Sequence, residues 1–451
     1  MPFTAIPAAG ASVAASSRGE KLAWFLFLAT SLHLALLQPM PDIIPGERAK
    51  VFSGICCAAT LLLVLISRRP PAANWKSPPV LISCTLSILV LVSSCLSPEK
   101  ATSLARGLVI LTAGLGGYWS ARLLLNTPER QRFFLWFSLG SFAAILLLCG
   151  AGIWATGSVF QFLDDHYHPV GSRIILFSFV PLTLIHSSSR LQAGMGLALL
   201  SAGYLVLLLA GKNLGMVSAL FVPPALALLA ACFRPWSGRQ LALILGLLLL
   251  AAATAGFFLR PILAEKSKYH VSVAYRIENI RFSWHLAREN PWFGIGLWSS
   301  REAYLQNYGT KYPYQTKEDF SAWTQRLRTS ENNFLTFMAD LGLPFILLYS
   351  GVILVSLGRL LEQAWRPLTA AVFPPLALLL PLVGEILHMQ VFDALFHPQV
   401  SWFFHILLGL AFTQPGRGSP LPGIRKAFLA RFFLFSAVIA GGAALGFMLR
   451  R

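Results

Sequence analysis

The stretch LVLLLAGKNLGMVSALF, residues 205–221, is apolar on both sides of a three-residue interruption, Gly211-Lys212-Asn213. Two apolar runs joined by so short a turn leave no room for a soluble loop, and they read as a helical hairpin inside a bilayer. A hydrocarbon core of ~30 Å takes ~20 apolar residues per helix. Only a helix satisfies every backbone group within one lipid-exposed segment. The pattern recurs along the chain, and spans are predicted near 22–40, 51–67, 79–97, 104–124, 134–155, 172–188, 193–211, 214–232, 240–259, 333–356, 368–384, 399–413 and 432–449. Composition agrees: 56% of the 451 residues are hydrophobic and 12% charged, where a soluble domain averages roughly 25% charged. The expected fold is an all-α polytopic membrane protein of about 12–13 transmembrane helices, with one long, partly helical periplasmic loop.

The expected organisation is a cytoplasmic, unstructured N-terminus (1–21), a transmembrane bundle of about nine spans (22–259) and the long loop (260–332). Further transmembrane helices (333–413), a basic cytoplasmic linker (414–431) and a C-terminal hydrophobic helix (432–451) complete it. The opening segment lacks a basic start and does not read as a signal peptide. The net charge of +18 would suit nucleic acid, but its distribution is topological. With the N-terminus inside, cytoplasmic segments hold 17 Lys/Arg and the short external loops 8, as the positive-inside rule requires. The six Cys fall in or beside apolar spans, with neither a disulfide framework nor metal-type spacing, and read as small buried hydrophobes.

The long loop has its own structure. SVAYRIENIRFSWHLAREN (272–290) places Val273, Ile277, Ile280, Trp284 and Leu286 at roughly helical intervals and stops at Asn290-Pro291. WFGIGLW then sets two Gly among aromatics, a turn with close backbone approach. The loop carries 11 Lys/Arg against 7 Asp/Glu. Such a cationic surface beside a membrane can hold lipid phosphate, which Arg grips with a bidentate fork. Ordinary solvated charge explains the same residues.

Four places could carry chemistry. Lys212 sits in the tight turn at membrane depth, where an ionisable group is costly and marks a function, unless it merely snorkels to the headgroups. QFLDDHYHPVGSR (161–173) gathers Asp164, Asp165, His166, His168 and Arg173, a polar rim for a substrate entrance rather than a metal site. GEILHMQVFDALFHPQ (384–399) supplies Glu385, His388, Asp393 and His397, which could shuttle protons or simply be hydrogen-bonded. In TSENNFLTFMADLGLPF (329–345), Glu331, Asn332 and Asn333 precede a greasy helix. One account is capping, with Ser330 as the cap and the acid near the helix N-terminus. The other is a carboxylate base in a desolvated cavity, with an Asn orienting a sugar hydroxyl or a phosphate oxygen.

In order, these motifs resemble the O-antigen ligase and O-antigen polymerase superfamily, bacterial membrane glycosyltransferases that use polyprenyl-diphosphate-linked glycans. The likeness covers roughly 105–412. It rests on Gly211-Lys212-Asn213, then Tyr275-Arg276, then Trp284 through Gly296 with its Asn290-Pro291 and paired Gly, and finally Glu331-Asn332-Asn333-Phe334-Leu335 through Asp340-Leu341-Gly342. Two departures stand out. The family's tight turn usually carries Arg where this chain has Lys212, and Glu331 occupies the place of the catalytic His of the ligases.

The resemblance implies that an acceptor sugar hydroxyl attacks the anomeric carbon of a glycan carried on a lipid diphosphate. It implies Glu331 as base, Lys212 and Arg276 as diphosphate ligands, and Asn332, Asn333, Arg173, Arg281 and His168 as substrate-contacting candidates. It implies no cofactor and no metal. The partners would be the polyprenyl (undecaprenyl) diphosphate donor, a glycan or glycolipid acceptor such as lipid A-core, and membrane lipid, with no nucleic acid. The location would be the bacterial inner membrane, with the N-terminus in the cytoplasm. A ligase is the first reading and a polymerase extending the lipid-linked glycan the second. A secondary transporter fits the hydropathy, but ionisable residues would then be expected near the midplane; here they collect at the ends of the spans.

Overall fold

The computed structural model describes residues 18–37, 46–68, 78–156, 167–187, 189–210, 270–303, 332–364, 372–390 and 392–413. Every regular element among them is helical. Helix α1 (Arg18–Leu32) runs into a π turn (His33–Leu37), followed by α2 (Gly46–Arg68), α3 (Pro78–Leu96), α4 (Lys100–Leu124) and α5 (Pro128–Thr156). Then come α6 (Tyr167–Phe177), α7 (Phe179–Ile185), α8 (Arg190–Ala210), α9 (His270–Glu289) and the single turn α10 (Ser300–Ala303). The chain continues through α11 (Asn333–Leu341), α12 (Leu343–Ala364), α13 (Pro375–His388), a 3₁₀ turn (Ala394–Phe396) and α14 (Pro398–Leu410). Proline opens α13 and α14 at the first turn, where its missing N–H would have had no intrahelical partner.

By length and composition, four of these helices can cross a membrane: 50–67, 78–96, 128–155 and 343–364. The first three match predicted spans closely. The fourth corrects the span predicted at 333–356, because the helix breaks at Gly342 and resumes as α12. The spans predicted at 214–232, 240–259 and 432–449 lie outside the described residues.

Helices α6 and α7 form the innermost layer: residues 169–184 are buried without interruption. The chain kinks between them because Pro181 cannot donate to Phe177 and its ring crowds that carbonyl. Phe177 meets Phe403 of α14 at 4.6 Å with the rings tilted by 56°, and lies parallel to Phe142 of α5 at 6.3 Å. Helix α14 also packs along α4, where a Cβ on Gly117 would collide with the Trp402 carbonyl; small residues let two membrane helices approach this closely. The Trp402 indole donates to Ser31 Oγ at 3.0 Å, tying α14 to α1. The cysteines follow expectation only in part. Cys57 and Cys149 are buried, whereas Cys84 and Cys95 face outward on α3.

The bundle has two distinct ends. At one, Glu20 pairs with Arg130 beside Trp24, linking the starts of α1 and α5, and the ends of α4, α12 and α14 meet around Phe412. At the other end, α3 finishes, α4 and α11 begin, and α13 hands over to α14 through residues 389–397. This second end holds the candidate site.

Candidate active site

Helix α11 is short, and its first turn is bonded sideways as well as along its axis. Asn332 is the cap: its Oδ1 accepts the Leu335 N–H at 3.0 Å. This corrects the expectation of Ser330, because the helix begins at Asn333 and only Asn332 stands where a side chain can reach the third N–H. The Asn332 amide also donates to the Gln390 carbonyl and to Gln390 Oε1, both at 3.2 Å. Asn333 is 1% exposed. Its N–H donates to the Met389 carbonyl at 2.9 Å, and its Oδ1 accepts the Leu395 N–H at 3.1 Å. Its Nδ2 is buried with no hydrogen-bond partner among the described residues. One turn on, Thr336 Oγ1 donates to Asp393 Oδ1 at 3.2 Å. Three polar side chains of α11 thus fasten the start of that helix to the 389–395 segment.

Beside this seam lies a second buried polar group. Ser172 Oγ of α6 donates to Glu385 Oε1 at 2.7 Å and sits 3.0 Å from His388 Nδ1. With its proton given to the carboxylate, the hydroxyl accepts from the imidazole, which assigns the Nδ1–H tautomer to His388. Glu385 is fully buried, at 0% exposure, and its Oε2 has no hydrogen-bond partner among the described residues. Leaving a carboxylate oxygen buried in this way costs about 1–3 kcal/mol or more. Arg173, the next residue on α6, is 1% exposed. Its Nε donates to the Pro169 carbonyl and one terminal nitrogen to the Ala35 carbonyl, each at 3.2 Å. The Ala35 carbonyl belongs to the π turn, a break in α-helical bonding that leaves a carbonyl for this guanidinium.

The two glycine-bearing motifs of the sequence prove to be one joint. Helix α9 stops at Asn290, and residues 291–298 lie against the break between α11 and α12. Leu343 N–H donates to the Pro291 carbonyl at 2.7 Å, Ile295 N–H to Ala339 at 3.1 Å and Gly296 N–H to Asp340 at 2.9 Å. The buried Asp340 side chain accepts the Trp298 N–H at 3.1 Å, and its carbonyl accepts Ser93 Oγ at 2.6 Å. Gly294 and Gly342 have φ of +63° and +85°, and a Cβ on either would strike the backbone of the other segment. Each glycine therefore serves both its own left-handed turn and its partner's close approach. The carbonyls released by the helix break find donors in the turn, as non-helical backbone at membrane depth requires.

Helix α9 ends where the sequence places its end, but its inner face differs from the apolar set read there. Phe282, Ser283, Leu286, Ala287 and Asn279 are buried, while Ile280 and Trp284 are 43% and 54% exposed. Docking of the following turn on α11 and α12 fixes this rotation, since α9 itself packs on α11.

The sequence-predicted residues fall as follows. Asn332 and Asn333 are neighbours in the seam, and Arg173 lies beneath it, next to Ser172. Arg281 is on the exposed face of α9. Arg276 is on the same helix and His168 in the first turn of α6, but their side chains lie outside the described residues. Glu331, immediately before the α11 cap, and Lys212 also lie outside them. Ser172 and Thr336 carried no signal in the sequence. They become part of the site only because α6 and the 389–395 segment fold against α13 and α11.

Helices able to cross a bilayer, together with a polar seam at one end of the bundle, define a multi-pass membrane protein. Residues 174–350 match the family model Wzy_C, described as O-antigen ligase. That segment, 177 of the 451 residues, is thus similar to an O-antigen ligase domain. No curated protein gives a significant match to the chain.

Proposed function

We propose that the protein transfers a glycan from a polyprenyl diphosphate to an acceptor sugar hydroxyl, at the end of the bundle where α11 begins. The observation that carries this reading is the seam itself: Asn332 caps α11 and bonds Gln390, so the residue that follows Glu331 is anchored to a rigid polar edge. A general base gains from such anchoring, because small misplacements at the reacting atoms cost large factors in rate. In this proposal Glu331 takes the proton of the attacking hydroxyl. Lys212 and Arg276 stabilise the charge that develops on the departing diphosphate. Asn333, whose Nδ2 is buried without a partner among the described residues, has a donor to offer a substrate oxygen. The orientation proposed is N-terminus in the cytoplasm, which puts the seam on the periplasmic face of the inner membrane.

Within this chemistry the first proposal is a ligase acting on a glycolipid acceptor such as lipid A-core. Glu331 at the place where the resemblance leads one to expect His favours a polymerase as the second reading. The test is transfer from purified polyprenyl-diphosphate-linked glycan by the wild type and by Glu331→Ala, Glu331→His, Lys212→Ala and Arg276→Ala at equal folded yield. Loss of product in the three alanine variants, with partial recovery by Glu331→His, supports the assignment. Normal transfer by Glu331→Ala would reduce Glu331 to a residue near a helix cap and move the base to His388. Offering lipid A-core and a second lipid-linked glycan as competing acceptors separates ligase from polymerase.

A further inference from the structure

A groove of about 560 Å³ runs between α3, α4, α12 and α14, within the ~300–1,000 Å³ range of small-molecule sites. It begins near the candidate site at Leu86, Phe337 and Leu395 and ends at Pro78, Arg122, Arg359 and Phe412. Its walls are almost entirely apolar. Midway, Tyr349 and His405 bond each other at 3.1 Å, which leaves little polar surface for a hydrophilic ligand. The exception is the far end.

There, Arg122 and Arg359 both lie over the Phe412 ring, 5.2 and 4.7 Å from its centroid. Arg122 also donates to the Tyr118 hydroxyl at 3.1 Å and rests against Trp119. No carboxylate among the described residues pairs with either guanidinium. Two cations are therefore gathered on one aromatic ring, at the mouth of an apolar groove, with no carboxylate paired to either among the described residues. Aromatic faces attract each cation but do not cancel the repulsion between the two. A phosphate would, and two guanidinium forks suit it well.

Position identifies the carrier of that phosphate. Arg359 follows Leu343 on one continuous helix, and at 1.5 Å per residue the two are about 24 Å apart, most of a hydrocarbon core. The arginines accordingly sit in the leaflet opposite the candidate active site. We propose that the groove binds an anionic glycerophospholipid of that opposite leaflet, its phosphate between Arg122 and Arg359 and one acyl chain along α12. This site is independent of the glycan-transfer reading, and its ligand is a resident lipid rather than a substrate.

The test uses the full chain reconstituted in phosphatidylcholine with and without phosphatidylglycerol, followed by native mass spectrometry of the released protein. Two variants accompany the wild type. Arg122→Gln/Arg359→Gln removes the charges. Gly351→Phe fills the groove from a position where an added Cβ meets nothing within 4 Å. The wild type is expected to retain one phosphatidylglycerol with at least a tenfold preference over phosphatidylcholine, and each variant to lose most of that preference. Equal retention of the two lipids by the wild type overturns the proposal, as does an unchanged preference in either folded variant. Recovery of a polyprenyl phosphate lipid in their place also overturns it, since the groove would then belong to the donor's tail. If the double glutamine variant does not fold, Gly351→Phe alone decides.

Discussion

The two ends of this bundle bury polar groups in opposite ways. At the seam, Ser172, Glu385, His388, Asn333, Thr336 and Asp393 are bonded to one another or to backbone, mostly through short, directional contacts. At the far end, Arg122 and Arg359 lie on aromatic faces, and no acid among the described residues pairs with either. A directional network holds geometry, because each donor has one place to point and leaving it unmet is costly. A cation over a ring tolerates sliding. Under the two proposals, the first arrangement suits chemistry that needs fixed atoms, and the second a ligand that exchanges along the membrane.

The variants that break this contrast most sharply lie at the seam. Glu331→Ala is expected to lower glycan transfer by about 10²–10⁴-fold, the usual contribution of a general base, while Arg122→Gln/Arg359→Gln leaves transfer per folded molecule unchanged. A radiolabelled or fluorescent acceptor assay on both proteins checks this. Next comes the joint. Gly342→Ala puts a side chain at φ +85° and against the Trp292 carbonyl; strained backbone costs about 1–3 kcal/mol, and the apparent Tm should fall with transfer reduced alongside it.

Smaller effects sharpen the picture within the seam. Ser172→Ala removes the donor to buried Glu385 and is expected to cost about 1–3 kcal/mol. Glu385→Gln keeps volume and an acceptor and should cost less. A reversed order, read by thermal unfolding in one detergent, would mean that Glu385 is held by something other than Ser172. Asn332→Ala should cost about 1 kcal/mol as a lost cap, and Asn332→Ser only part of that. If Asn332→Ala leaves stability intact but lowers transfer, the side chain acts on substrate rather than on α11.

The apolar runs and the Pro and Gly punctuation made the helical membrane fold legible. Hydropathy over 51–67, 79–97 and 134–155 needs no tertiary partner to be read. The stop at Asn290-Pro291 was equally local. Sequence alone puts the cap at Ser330, two residues early, because Ser330 and Asn332 are both good caps and only the start of α11 chooses between them. The rotation of α9 was also hidden, since Ile280 and Trp284 satisfy a helical period as well as Phe282 and Leu286 do. Packing on α11 decides which pair turns inward.

The candidate site divides along the same line. Glu331, Asn332 and Asn333 are visible in sequence as polar residues at the mouth of an apolar helix, and Glu385, His388, Asp393 and His397 as an acid and histidine cluster without a Lys or Arg. That these two groups share one edge, that Ser172 bridges Glu385 and His388, and that the Asn290–Gly296 and Asp340–Gly342 motifs are halves of one joint could not be read from spacing. Short-range patterns determine which segments enter the membrane, because burial in lipid acts on each helix separately. Hydrogen bonds between residues hundreds of positions apart, such as Ser93 to Asp340 and Ser172 to Glu385, exist only once the helices have chosen their neighbours.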